Sequence, residues 1–489
     1  MNKKHILSVL GLTLALGTFS CEDRLNELRP EQDLTQTDAY SSEATTYSVL
    51  YGIYSTMQNF EVFGGLSQVI GDFQADNVNF VGSFPTLQEI KSFSTVGTNG
   101  TVRDLWQVHY RAITRANSLI ANVPTVVDPS FTEEERAQVI AEAKFLRALL
   151  YFQLSNFFSQ PYQVEQGTNL SVPLVLEPFT GEITYPERAT LNEVHAQIEE
   201  DLMEAIPNLN TFAEFDGDEE GRGRATVAAA QALLSRLYLY RENWAQAEEY
   251  ARKVLDAPAY DLASDYSFYT SGITQENIFS ILNSAIDNGR TGSGGLASYY
   301  SPSAEGGRGD APYSADLIDA FELLAVDGVI IDRRYTALTE PGVAADGVTY
   351  PFTNKYPDAA NNSDNAPVIR VTEVVLTLAE AIARQATTVA EASEAIDLIN
   401  ELRARAGLPP YTVASFSSVE ELVDAILYER RLELAFEGFR RMDLLRNEMP
   451  LITTGEGAAR AVFGGNYTVL PIPQRELDIN PSLVPNPGY

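Results

Sequence analysis

Between Thr226 and Pro258 the chain carries two short helical patterns that fit only against each other and a neighbour. The first places Ala229, Leu233, Leu237 and Tyr240 on one face. The second carries Trp244, Ala247, Tyr250, Ala251, Val254 and Leu255, and Pro258 follows its end. Small residues where two helices cross, an aromatic opening the second helix and a proline after it are what a stacking helical hairpin needs. Such a unit has to stack on its neighbour, so it points to an α-rich, layered scaffold.

The same helical texture recurs at Tyr47 to Gln58, Trp106 to Val123, Glu133 to Phe158 and Leu191 to Ile206, and in the pair Arg370 to Ala386 and Val389 to Ala406. Within these, Ala141 to Phe158 is apolar on most faces, with Phe145, Leu146, Leu149, Leu150, Phe152 and Leu154, which predicts a helix at the centre of the stack. Stretches without helical period lie at 60–100, 160–190, 260–315, 330–368 and 447–489 and are read as loops. Loops of that length are usually functional when ordered. The expected fold is mainly α, with TPR-type helical hairpins as scaffold and long, irregular, loop-rich segments.

The N-terminus reads as an address. Lys3 and Lys4 precede an apolar run from Ile6 to Leu16, and small residues close on Ser20 and Cys21, the three-part pattern of a secretory signal. The run is shorter than the roughly 20 apolar residues that cross a bilayer. A cysteine directly after it looks like a bacterial lipobox, although Thr18 stands where leucine is usual. Residues 1–20 are therefore read as a lipoprotein signal, Cys21 as the lipidation site and 21–38 as a polar tether. Residues 39–489 are expected to form one domain, with an N-terminal part at about 39–222, the hairpin at about 223–260 and a C-terminal part at about 261–489.

Charge and composition remove several function classes. Of 489 residues 45% are hydrophobic, enough for a sizeable core, and acids outnumber bases 67 to 34. A net charge of −33 argues against gripping nucleic acid through its phosphates. Cys21 is the only cysteine, which excludes intramolecular disulfides and cysteine-rich metal sites. The histidines are His5, His109 and His195, with no metal or triad spacing, and there is no Gly-Lys dipeptide for a phosphate loop. No catalytic residue, metal site or cofactor is assigned. Asp216, Asp218, Glu220 and Gly221 open like a calcium loop, but Val227 stands where the bidentate glutamate belongs, so a solvated acidic loop is the better reading. Arg308-Gly309-Asp310 spells an adhesive tripeptide in a Gly-rich loop and is read as chance. The run Glu429, Arg430, Arg431, Glu433, Glu437, Arg440, Arg441, Asp443 alternates sign at i, i+4 among apolar residues, which fits mutually satisfied, partly buried ion pairs better than a catalytic cluster.

Several motifs together resemble the SusD/RagB family of outer-membrane nutrient-binding lipoproteins of Bacteroidetes. They include Trp106 and Tyr110 with Ala116-Asn117, the stretch from Ala141 to Phe152, and Gly223 to Thr226 opening the hairpin. Further on come Thr372-Glu373-Val374 with Ala379-Glu380-Ala381, the run from Glu429 to Leu445, and the ending Leu470-Pro-Ile-Pro-Gln474, Asn480-Pro481 and Asn486 to Tyr489. The resemblance implies a SusD-like fold on the cell surface, lipid-anchored in the outer membrane, that binds oligomers without catalysis and passes them to a SusC-like TonB-dependent transporter. Glu22-Asp23 looks like the acidic export signal of such lipoproteins.

Sugar binding calls for flat aromatic faces against C–H groups, with planar amides, acids or arginine for hydroxyls. Two loops offer them. The segment 60–93 contributes Phe63, Asp76, Asn77, Phe80 and Phe84, and the segment 283–313 contributes Tyr299, Tyr300 and Arg308. These eight residues are the expected ligand contacts, and an extended glycan is the expected ligand. A peptide ligand, a surface glycosidase and a structural or adhesive lipoprotein remain the alternatives.

Overall fold

A computed structural model describes residues 36–290 and 294–489; Cys21, the signal and most of the tether lie outside the described residues. Helices of seven residues or more are α1 (Glu43–Gln58), α2 (Leu66–Phe73), α3 (Pro85–Lys91), α4 (Gly100–Asn122), α5 (Glu133–Phe158), α6 (Leu191–Ala205), α7 (Val227–Tyr240), α8 (Trp244–Leu255), α9 (Ala315–Glu322), α10 (Val371–Gln385), α11 (Ser393–Ala406), α12 (Val419–Glu433) and α13 (Arg440–Arg446). The fold is mainly α, as the hydrophobic periods predict.

Local chemistry sets where these helices begin. Thr132 caps α5 and Thr190 caps α6 in capping boxes with Glu135 and Glu193, while the Thr226 hydroxyl accepts from Ala229 N at the start of α7. Packing then runs along the chain: α1 on α4, α4 on α5, α5 on α6, α7 on α8, α8 on α10, and α10 on α11 and α12. The hairpin α7/α8 closes as the small residues require, with the Ser235 hydroxyl donating to Ala247 O at 2.8 Å and Tyr238 stacked on Tyr250 at 5.7 Å. α5 is buried on every side from Phe145 to Leu150, which is why its apolar residues show no single stripe.

Two antiparallel pairs of strands complete the fold. β1 (Asn277–Ile281) pairs with β4 (Ala366–Arg370), from Asn277 opposite Arg370 to Ile281 opposite Ala366, and both strands are buried. β2 (Thr339–Val343) pairs with β3 (Thr349–Thr353) as a hairpin. The main apolar core extends from Leu50 to Ile472, with a small second cluster of Tyr266, Phe268 and Leu338. The C-terminal segment is pinned to α5: Leu470 N donates to Phe157 O, and the Asn486 amide donates to Phe158 O and Leu470 O. Among the described residues no helix is long and apolar enough to cross a membrane.

The alternating charge run forms the ion-pair centre of the C-terminal half. Its pairs are buried or, for Arg431 and Arg440 on Asp76, partly buried, but most partners come from distant elements instead of from i, i+4 neighbours. Glu429 bridges Arg334 at 2.5 Å and Arg403; Glu433 holds Arg405 at 2.8 Å and Arg370 at 3.4 Å; Glu437 holds Lys355 at 2.7 Å and Arg370 at 2.8 Å. Burial would raise the Glu437 carboxyl, yet Arg370 and Lys355 hold it down at about 2. Arg441 departs from the expectation altogether. It is fully buried, has no carboxylate partner among the described residues and donates to Gln74 Oε1 and to the carbonyls of Asn156 and Thr468, so burial lowers its guanidinium to about 10.

Candidate ligand-binding cleft

The two segments singled out for aromatics run beside each other. Val78 bridges Tyr313 in antiparallel sense, Asn79 N donates to Pro312 O at 3.0 Å, and Val81 N donates to Asp310 O at 2.9 Å. The ribbon ends at Gly82, where a Cβ would lie 2.5 Å from the Asp310 carboxylate and 2.7 Å from the Phe80 ring. A side chain there would push the Asp310 carboxylate or the Phe80 ring aside. The segment 60–93 is also not the continuous loop expected: α2 and α3 lie within it. Pro85 at the first position of α3 is the sequence signal for that helix.

Phe84 immediately precedes α3 and is 53% exposed. The Arg308 guanidinium sits 4.9 Å from the Phe84 ring centre and 4.7 Å from that of Tyr299. Its Nε donates to Asp310 Oδ2 at 2.5 Å, which fixes its plane. Burial pushes the Asp310 carboxyl above its ordinary value against the pull of Arg308. Tyr299 is buried behind this group, its ring edge on Phe73, and Phe73 in turn lies 4.8 Å from Phe80. An exposed ring, a clamped arginine and a buried tyrosine thus form one layer.

Beside this layer opens a cleft of about 640 Å³, lined among others by Asp76, Phe80, Gln88, Lys91, Asp316 and Glu456. Gln88 and Lys91 follow Phe84 at helical spacing, which puts all three on one side of α3. Lys91 Nζ donates to Ala75 O and Val78 O, both at 3.1 Å, and burial lowers its pKa to about 8 although Asp76 and Asp316 raise it. Burial alone would raise the Asp76 carboxyl, but Arg440 at 2.7 Å and Arg431 at 3.3 Å hold it below its ordinary value. Gln88, Lys91, Asp316 and Glu456 were not among the expected contacts. Reading α3 as loop hid the first two, and the last two belong to segments brought in only by tertiary packing.

Three expected contacts belong to the scaffold. Phe63 is 4% exposed within the apolar core. Tyr300 is fully buried, stacked on Tyr356 and edge-on to Phe436, with its hydroxyl donating to Asp72 Oδ2 at 2.5 Å. Asn77 is also fully buried and accepts from Arg431 Nε at 2.9 Å. None of them offers a face to a ligand, because the apolar surface that qualifies an aromatic for a platform equally qualifies it for the core. Of the other expected residues, Asp76 and Phe80 line the cleft, Phe84 and Arg308 form the layer beside it, and Tyr299, 4% exposed, backs that layer from the core.

Among the described residues no group of three or more His, Cys, Asp or Glu side chains is placed to hold a metal. In the acidic segment, Asp218 pairs with Arg222 and Glu220 with Arg224, and both belong to a short helix, Asp218–Gly223. His109 and His195 are buried singly, and burial lowers them to about 4 and about 3.

Comparison with known proteins matches this architecture from both ends of the chain. Residues 345–489 fit the model of the SusD family, and residues 26–239 fit a model described as starch-binding, associating with the outer membrane. SusD-like protein P2 of Formosa agariphila is 28% identical, with all of both chains covered. A solved laminarin-binding SusD-like protein is 27% identical at a TM-score of 0.72, covering 92% of this chain and 100% of its own. A SusD superfamily protein from Bacteroides fragilis is 26% identical at a TM-score of 0.77, with 91% and 100% covered. The two matched regions, the full-length relative and the shared fold agree: this chain is a SusD/RagB-like protein.

Proposed function

We propose that the protein binds an extended oligosaccharide at the Phe84–Arg308 layer and the adjoining cleft, without cleaving it. The observation that carries this reading is the exposed Phe84 ring held against a clamped Arg308, next to a polar cleft lined by Phe80, Gly82 and Gln88. A flat ring receives the C–H face of a sugar, and the carboxylates, Gln88 and Lys91 accept from or donate to its hydroxyls. The laminarin-binding relative and the starch-binding description of one matched family support a glycan over a peptide. One stacked ring contributes about 1 kcal/mol beyond the area it buries, and exchanged hydroxyl hydrogen bonds add little net, so affinity of order micromolar is expected.

In this reading the protein is held in the outer membrane through a lipid on Cys21, exposed at the cell surface, and hands its ligand to a SusC-like TonB-dependent transporter. Titration of the purified protein with a panel of polysaccharides, with reducing ends measured in parallel, tests binding and the absence of cleavage together. New reducing ends would favour a glycosidase, and binding to peptides alone would favour a peptide receptor. Co-purification of the transporter with the membrane-extracted protein tests the partner.

A further inference from the structure

We infer that the cleft selects uncharged oligosaccharides and rejects sulfated or uronate chains, an inference that rests on the glycan-binding reading of the same site. Among the described residues, the cations at or beside the cleft already have partners. Arg308 is bound to Asp310 at 2.5 Å, Arg440 to Asp76 at 2.7 Å, and Lys91 directs Nζ to two backbone carbonyls. A sulfate or carboxylate entering here meets cations whose charge is already offset by a carboxylate or by carbonyl dipoles, so it gains little attraction for the hydration it gives up.

The opposite sign is available. Asp316 and Glu456 line the cleft, are exposed, and have no salt-bridge partner among the described residues. They meet an anionic sugar with repulsion and a neutral one with acceptor oxygens. The long-range field has the same sign. Inside the fold, Arg370 is matched by Glu276, Glu433 and Glu437, and Arg446 by Glu380 and Asp443. The buried ionisable groups come close to charge balance, so most of the excess of 67 acids over 34 bases lies toward solvent. A polyanion is therefore repelled on approach as well as at contact, the first effect being screened over about 10 Å in 0.1 M salt.

The test uses the full protein against length-matched neutral glucan, mannan and xylan oligosaccharides, and against alginate, polygalacturonate and carrageenan oligosaccharides, at low and at physiological salt. The expected result is binding within the neutral set, with every anionic chain at least tenfold weaker at low salt and that ratio narrowing as salt rises. Replacing both acids, Asp316→Lys with Glu456→Lys, should shift the ratio of anionic to neutral affinity at least fivefold toward the anionic chains. An anionic chain bound as tightly as any neutral one overturns the selectivity while leaving glycan binding intact. A ratio unmoved by the double variant overturns the role of these two acids. Binding to no glycan at all overturns the glycan reading and this inference with it.

Discussion

Arg308 and Phe84 meet at 4.9 Å, from guanidinium carbon to ring centre, across a junction that joins two segments more than 200 residues apart in the chain. Phe84 lies at the start of α3, and Arg308 is fixed by Asp310 on the strand-like segment paired to residues 78–81. The contact holds a large apolar ring half in water, where burial alone would not keep it.

Phe84→Ala should therefore weaken glycan binding roughly five- to tenfold, equivalent to about 1 kcal/mol of stacking. Its melting temperature should hold, because the ring is more than half exposed. Calorimetric titration paired with thermal melts checks both halves. Full affinity in the variant would place the platform elsewhere.

Tyr300→Phe should behave in the reverse manner. The hydroxyl is the donor to a buried carboxylate, and Asp72 Oδ1 has no hydrogen-bond partner among the described residues. Removing the donor costs about 1–3 kcal/mol. Melting should fall while glycan affinity in the folded protein stays within twofold. Affinity lost without a change in melting would return Tyr300 to the binding surface.

How much of this was legible beforehand follows physical lines. The hairpin α7/α8 and the buried α5 were readable because their apolar spacing is local and their caps lie within a few residues. The charge run was readable as buried ion pairs, but its partners were not, since Arg334, Arg370 and Arg405 reach Glu429 and Glu433 only after the chain has folded back on itself. At the cleft, aromatic content identified Phe84 and Tyr300 alike. Only the tertiary fold decides that one ring faces water and the other meets Tyr356 and Phe436.

Glu433→Ala should be among the most damaging substitutions. It removes the carboxylate that faces both Arg405 and Arg370 and leaves two guanidinium groups buried with fewer counter-charges. Breaking one side of a buried pair costs roughly 3–5 kcal/mol. Chemical denaturation should show a lower midpoint, with the slope retained. A midpoint within error of the parent would mean that the remaining carboxylates, Glu276 and Glu437, suffice.

Cys21→Ala should release the protein from the membrane fraction. The signal pattern ends at that residue, and no helix among the described residues is able to cross a bilayer. Fractionation with a labelled C-terminus measures this. Retention at the parent level in the outer membrane would exclude the lipid as the anchor.

Burial raises the Asp72 carboxyl to about 7, against hydrogen bonds from Tyr300 and Gly438 N that favour its charged form. An acid whose folded pKa lies above its unfolded value is held protonated by the fold. At low pH, with the carboxyl protonated in both states, there is no penalty. As pH rises above the unfolded value near 4, the unfolded chain releases a proton that the folded one retains, and stability falls until pH passes about 7. Glu437, held at about 2 by Arg370 and Lys355, acts with the opposite sign, losing stability only as pH drops below its unfolded value. Between pH 5 and pH 8 the Asp72 contribution therefore declines while that of Glu437 is constant. Asp72→Asn keeps an oxygen to accept from Tyr300 and Gly438 and removes the ionisation. Its melting temperature relative to the parent should rise between pH 5 and pH 8. A difference that stays flat over this range would show that Asp72 titrates normally in the folded protein.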